Sequence, residues 1–209
     1  DDGTIWGGEF FLVEATRARR MAHLRTFPLP GGDAAIKLPF RTAIGLLYEM
    51  AGADIEKLDH LPPFQQLSIH EKKSLLQMLD KNINCPRTSS IGRLFDAVAS
   101  LLNLQQYNRY EGQAPMQLEF AALKAQLAEN SYPISVKLSD DDASMWIFDW
   151  QPMIKSIISD ISHNSDRYEI AAAFQNSLAQ MILIAVRNSG QSRAVLSGGA
   201  FQNKLMVEK

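Results

Sequence analysis

A single cysteine among 209 residues excludes a disulfide framework and makes the reducing cytoplasm the default compartment. The sequence lacks a run of about 18 apolar residues, and no basic stretch leads into a short apolar one, so neither a membrane span nor a signal peptide is expected. It also lacks an excess of positive charge: 21 Lys and Arg face 23 Asp and Glu, a net charge of −2. Without a basic stripe, neither nucleic acid nor an anionic membrane is an expected partner. Metal ligands are equally sparse. His23, His60, His70 and His163 form no i, i+4 pair, and Cys85 has no ligand partner nearby in sequence.

What the chain does have is a 46% hydrophobic composition, and a domain of this length buries roughly 70% of the surface its unfolded chain exposes. Both ends read as cut. Asp1 to Thr4 is turn chemistry with no initiator methionine, and Ala200 to Lys209 reads as a helix that stops while still apolar at Leu205, Met206 and Val207. The expectation is a piece of a longer polypeptide.

Phe10–Val13 and Met21–Phe27 read as two extended segments around the basic turn Arg17 to Arg20, and Pro28 to Gly32 breaks regular structure before Asp33, a candidate helix cap. Phe40, Ala43, Ile44 and Leu47 fall at helical offsets behind Pro39. A polar connection over 52–66 follows, then a helix over 69–79. The clearest helix spans 90–103, with Ile91, Leu94, Phe95, Val98, Leu101 and Leu102 on one stripe and Ser89 or Ser90 as cap; Asp96 lies roughly 160° from the stripe's centre and so faces away from the core. A helix over 115–129, strands over 133–138 and 145–150 around Asp140-Asp141-Asp142, and a long helix over 166–188 complete a helix-rich α/β pattern. Arg193-Ala194-Val195-Leu196 reads as a short buried parallel strand running into Ser197-Gly198-Gly199 and a helix.

That strand, Ser-Gly-Gly, helix sequence is either a place where backbone meets an anionic ligand or a tight turn between two elements, and its pattern is not that of a P-loop or a dinucleotide fingerprint. Ser89 to Asp96 carries the same two readings: hydroxyls and amides facing a nucleotide, or a capped amphipathic helix with a solvated Asp96 and a surface Arg93. Glu111, Glu119 and the Trp6-Gly7-Gly8-Glu9 stretch are further candidates, with solvated acids and a buried Trp6 as their plain alternatives. No complete catalytic constellation is present, so no catalytic residue is assigned.

In order along the chain, Asp-Gly-Thr-Ile-Trp-Gly-Gly-Glu at 2–9, His-Leu-Arg-Thr-Phe-Pro-Leu-Pro-Gly-Gly-Asp at 23–33, Ser-Ser-Ile-Gly-Arg-Leu-Phe-Asp-Ala-Val-Ala at 89–99, Tyr-Glu-Gly-Gln-Ala at 110–114 and Ser-Gly-Gly-Ala-Phe-Gln-Asn at 197–203 resemble the HypF family of hydrogenase-maturation carbamoyltransferases. The stretches cover nearly the whole chain and correspond to the central part of the family's C-terminal, TsaD-like domain, here residues 1–209. The resemblance implies an α/β actin-like, Hsp70-like (ASKHA) nucleotide-binding fold, incomplete and helix-rich. It also implies a reaction. Carbamoyl phosphate and ATP give carbamoyl-adenylate, and the carbamoyl group passes to the C-terminal cysteine of HypE, the protein partner, on the way to the cyanide ligands of [NiFe]-hydrogenase.

Carried over by motif, Gly198, Gly199 and Asn203 approach the nucleotide, Asp96 reaches its sugar side, Gly112 belongs to the next adenylate-side loop, and Glu119, with Gln117 as competitor for its place, completes the nucleotide and carbamoyl-adenylate set. The family's divalent metal, iron or zinc, is held by a His-x-x-x-His pair with an aspartate and by an Asp-Gly-Gly-like aspartate, none of which occurs here. The fragment is therefore expected to hold no metal and to be inactive alone. The rival readings are an O-carbamoyltransferase of small-molecule biosynthesis with a hydroxyl acceptor and a noncatalytic nucleotide-binding or interaction module.

Overall fold

The structure is a computed structural model and describes residues 2–126, 129–140, 142 and 144–207. The chain divides into two compact units: unit 1 holds residues up to Trp6 and Thr26–Leu118, and unit 2 holds Gly7–Arg25 and residues from Glu119 onward.

In unit 1 the short strands β3 (Phe27–Pro28) and β4 (Arg87–Thr88) pair antiparallel, with Phe27 opposite Thr88. Helix α1 (Asp33–Lys37) begins on Gly32, so Asp33 is its first residue and makes no capping hydrogen bond. Helix α2 (Pro39–Ala51) places Phe40, Ala43, Ile44 and Leu47 in the core as their spacing predicts, and packs against α4 (Ile91–Leu101). In the middle of α2, Gly45 lies so close to the chain before it that a Cβ there would stand 2.1 Å from the Pro28 carbonyl oxygen.

The stretch after α2 is not the polar connection expected over 52–66. It is wound into 3-10 turns at Gly52–Leu58 and Phe64–Gln66, and Ile55, Leu61 and Phe64 are buried. Helix α3 (Ile69–Asp80) opens with a capping box: Ser68 Oγ accepts from the Glu71 amide and the Glu71 carboxylate accepts from the Ser68 amide. Ser68→Ala should lower stability by about 1 kcal/mol, read as a lower denaturant midpoint at unchanged slope. An unchanged midpoint would show that the box contributes nothing.

Unit 2 is built on a four-stranded sheet in the order β1-β2-β6-β5. Strands β1 (Glu9–Glu14) and β2 (Arg17–Leu24) form an antiparallel hairpin turning at Ala15-Thr16, so the basic run lies within β2 rather than in the turn. Strand β6 (Trp146–Asp149) runs parallel to β2 and antiparallel to the edge strand β5 (Ser135–Leu138). Trp150 follows β6, fully buried; its indole N–H donates to the Arg25 carbonyl at 2.7 Å, with the Arg25 guanidinium 5.2 Å from the ring centre.

Helix α6 (Gln151–Ser162) has no counterpart in the expected pattern, and helix α7 (Arg167–Ser189) ends on Gly190 in the left-handed conformation. By length and mean hydropathy α7 alone among the described residues passes for a membrane span, yet 61% of that window is buried inside the protein. Its apolar side chains form the core of unit 2.

Three further expectations differ from the structure. Arg193 to Leu196 forms no strand and is exposed, Val195 at 94%; a buried strand needs hydrogen-bonding neighbours, and none of the described strands pairs with it. The helix expected over 200–209 is a 3-10 turn at Gly199–Gln202 followed by α8 (Lys204–Val207), because Asn203 leaves helical geometry between them; Glu208 and Lys209 lie outside the described residues. Helix α5 (Gln113–Ala122) is shorter than the expected 115–129, whose residues 127 and 128 also lie outside, as do Asp1 of the opening turn and Asp141 of the acidic turn.

Candidate functional site

The residues singled out by sequence divide between the units: Asp96 and Gly112 in unit 1, Glu119, Gly198, Gly199 and Asn203 in unit 2.

In unit 1, Asp96 does not face away from the core as expected; it is completely buried. Its helical angle relative to the apolar stripe is right, but α4 is enclosed on every side from Leu94 to Leu102, so the face opposite the stripe is covered too. Arg93, one turn earlier, is nearly buried rather than at the surface, and sets Nη1 2.8 Å from Asp96 Oδ2. That approach lacks hydrogen-bond alignment, and both Asp96 oxygens, Arg93 Nη1 and Asn108 Oδ1 are buried without a hydrogen-bond partner. Burial pushes the Asp96 carboxyl up to about 7, against the opposing pull of the Arg93 guanidinium and the Asn108 amide. The result is a carboxyl group titrating near neutrality with unfilled acceptor capacity.

The serines before α4 are committed internally. Ser90 Oγ caps the Arg93 amide at 3.4 Å, and the buried Ser89 hydroxyl points to the Ile5 carbonyl at 3.5 Å. Gly112, by contrast, sits at φ +81° with open space where a Cβ would be, so its conformation favours glycine and leaves its backbone approachable. Trp6 is not buried: it is 44% exposed, with its indole N–H donating to Asp2 at 2.9 Å.

In unit 2 the Ser197–Asn203 stretch is a pair of overlapping turns. Gly198, at φ +99° and ψ 168°, occupies backbone space essentially reserved for glycine, and neither it nor Gly199 has an atom within 4 Å of a built Cβ. Its open end is backbone. Its other end is tied down: the buried Asn203 donates from Nδ2 to Gln175 Oε1 at 3.0 Å and accepts at Oδ1 from the Met206 amide at 3.2 Å. Glu119 Oε1 accepts from the Lys204 amide at 2.9 Å, so a carboxylate of the protein itself takes the first amide of α8. The ligand-facing helix start that the sequence suggested is thus filled from within.

In the Trp6-Gly7-Gly8-Glu9 stretch, the Glu9 carboxylate gathers the Gly7 and Gly8 amides and pairs with Arg20 at 3.1 Å, which is structural chemistry within unit 2. An open cavity of about 360 Å³ lined by Val136, Lys137, Leu138, Trp146 and Asn188 contains none of the expected site residues. Among the described residues no three His, Cys, Asp or Glu side chains converge as a metal site. The described residues do not fit a metal.

The whole chain, residues 1–209, matches the family described as carbamoyltransferase, Kae1-like domain, second subdomain. The chain belongs to the HypF carbamoyltransferase family. It is 35% identical to carbamoyltransferase HypF of Synechocystis sp. over 97% of its length and 27% of that protein, and 30% identical to a carbamoyltransferase HypF homolog of Cupriavidus necator over 98% of its length and 52% of that protein. The fold agrees. A crystal structure of full-length HypF in the phosphate- and nucleotide-bound form superposes with a TM-score of 0.85 at 30% identity, covering 99% of this chain and 31% of that one; HypF of T. kodakarensis gives 0.80 at 28% identity, covering 99% and 27%. The chain therefore spans about a quarter to a half of its HypF relatives, and its mixed α/β architecture is Kae1-like.

The structure places beside the motif residues side chains to which the sequence assigned no such part. Arg93 and Asn108 surround Asp96, and Gln175 holds Asn203 from the middle of a helix whose period reads as plainly apolar.

Proposed function

We propose that the chain is the nucleotide-side part of a HypF-type carbamoyltransferase domain. The protein it serves, in the cytoplasm, uses ATP and carbamoyl phosphate to form carbamoyl-adenylate and passes the carbamoyl group to the C-terminal cysteine of HypE. The observation that carries this reading is the likeness along 99% of the chain to full-length HypF in its phosphate- and nucleotide-bound form. In the transfer step the HypE thiolate attacks the carbamoyl carbon. A C–S bond forms, the bond to the adenylate oxygen breaks, and AMP leaves with the electron pair.

This chain's contribution is binding and orientation. Gly198 and Gly112 hold backbone where a side chain would block close approach. Asp96, whose buried carboxylate oxygens lack a hydrogen-bond partner beside the Arg93 guanidinium, is the residue we assign to a nucleotide sugar hydroxyl. No metal-dependent step is assigned to these residues.

The test is ATP-dependent transfer of labelled carbamoyl from carbamoyl phosphate to HypE, by a protein of the relatives' length that carries these 209 residues. The expected result is label on wild-type HypE and none on HypE lacking its terminal cysteine. Label on a small-molecule hydroxyl, or nucleotide binding with no turnover, would overturn the reading.

A further inference from the structure

Three consecutive polar residues lie buried in the middle of α7: Gln175, Asn176 and Ser177 are 2%, 7% and 0% exposed. Left unsatisfied, each would destabilise the helix's surroundings, yet all three are engaged, and two of them hold chain outside the helix that has no regular structure of its own. Asn176 Nδ2 donates to the Asn130 carbonyl at 2.7 Å, and Ser177 Oγ accepts from the Tyr132 amide at 2.7 Å while donating to the Ala173 carbonyl. Gln175 Oε1 accepts from Asn203 Nδ2 at 3.0 Å.

Asn203 is the fixed end of the glycine turn. Its Oδ1 receives the Met206 amide, its own amide donates to the Ala200 carbonyl, and the Phe201 amide donates to the Gly198 carbonyl. A short run of hydrogen-bonded backbone thus links the Gln175 side chain to Gly198, whose φ of +99° belongs to the part of the turn with open space beside it. The Glu119 bond to the Lys204 amide secures the next residue only. The orientation of Asn203 itself is set from α7.

We propose that Gln175 is the positioning residue of the glycine turn: it touches no ligand, and by holding Asn203 it fixes the backbone of Gly198 and Gly199 for an adenine nucleotide. The inference rests on the nucleotide reading given above. The turn is otherwise exposed, and an exposed turn with two glycines has many accessible conformations, so a binding surface made from its backbone needs an anchor to be pre-organised. Gln175 is that anchor.

The experiment titrates a non-hydrolysable ATP analogue into the intact protein, with melting temperature measured in parallel. Gln175→Met keeps the shape and removes the acceptor; it is expected to weaken binding about tenfold. Gln175→Glu restores an acceptor and is expected to recover most of that loss. Asn203→Ser keeps an oxygen to cap the Met206 amide but loses the donor to Gln175, and is expected to match Gln175→Met. The double variant should bind no more weakly than either single, because both break one link. A purely structural role would lower the melting temperature and leave the binding cycle additive. A folded Gln175→Met that binds like the parent, or losses that multiply in the double variant, would overturn the positioning role while leaving the nucleotide reading intact. A parent protein that does not bind the analogue would remove the nucleotide reading as well. Should Gln175→Glu not fold, the Gln175→Met and Asn203→Ser cycle decides by itself.

Discussion

Replacing Gly45 by alanine is expected to destabilise unit 1 by about 3 kcal/mol, even though alanine ordinarily gains roughly 1 kcal/mol over glycine inside a helix. The sign is set by what a Cβ would meet. The Pro28 carbonyl oxygen would stand 2.1 Å away, Pro30 Cδ 2.9 Å and the Pro28 carbonyl carbon 3.2 Å. Two of these three are backbone, so no side-chain rotation relieves the clash. Either α2 or the β3 strand must move by about an ångström, and α2 also packs against α4 across the core of the unit. Serine at the same position should cost at least as much. The measurement is amide hydrogen exchange along α2 together with a denaturant titration. A variant within about 1 kcal/mol of the parent would show that the approach relaxes freely.

The second large effect is a pH dependence centred on Asp96. Burial raises its carboxyl from 3.8 to about 7, with Arg93 and Asn108 opposing. A raised acid binds its proton more tightly when folded, so its favourable contribution is fully present below about pH 4 and is lost as pH rises through 7. Over that window of about three units, at roughly 1.4 kcal/mol per unit, the loss comes to about 4 kcal/mol.

Two other acids run the opposite way in a lower window. Hydrogen bonds from Ser68 hold Glu71 below its ordinary value, and hydrogen bonds from Ser144 do the same for Asp142, so their contributions are lost only as pH falls below the usual carboxylate range. Asp96→Asn should therefore flatten the decline between pH 4 and 7. The slope, rather than the absolute stability, is the readout, because the substitution also strips Arg93 of its charge partner. The same slope in parent and variant would place the titration elsewhere.

The local elements were largely legible. The stripe of Phe40, Ala43, Ile44 and Leu47 is α2, Ser90 caps α4, and α3 and α7 begin within a residue of where their spacing places them. Helix α6 was not. Strand-like residues run up to Trp150, no side chain caps the helix start, and the only early sign is Pro152 in its first turn ahead of Met153, Ile154 and Ile157. Gly45 carries its own signal in the sequence, since a glycine inside so regular an apolar helix implies that another backbone comes close.

The limits at the candidate site have a common cause. A helical wheel gives the angle of Asp96 but cannot show that the far face of α4 is covered as well, because covering is a tertiary fact. The Val195 run has strand composition, and composition cannot supply a pairing partner. Gln175 hides in an otherwise apolar period, where the useful sign was three polar residues in succession, more than any exposed face of a helix this buried would need.

The chain carries three tryptophans, and their placement makes it optically divisible without any label. Trp6, the sole indole of unit 1, is 44% exposed and open to an aqueous quencher, whereas Trp150 in unit 2 is fully enclosed with Trp146 half-buried nearby in sequence. Iodide should therefore silence the unit 1 signal first and leave a blue-shifted emission from unit 2, so the melting of each unit can be followed separately in one cuvette.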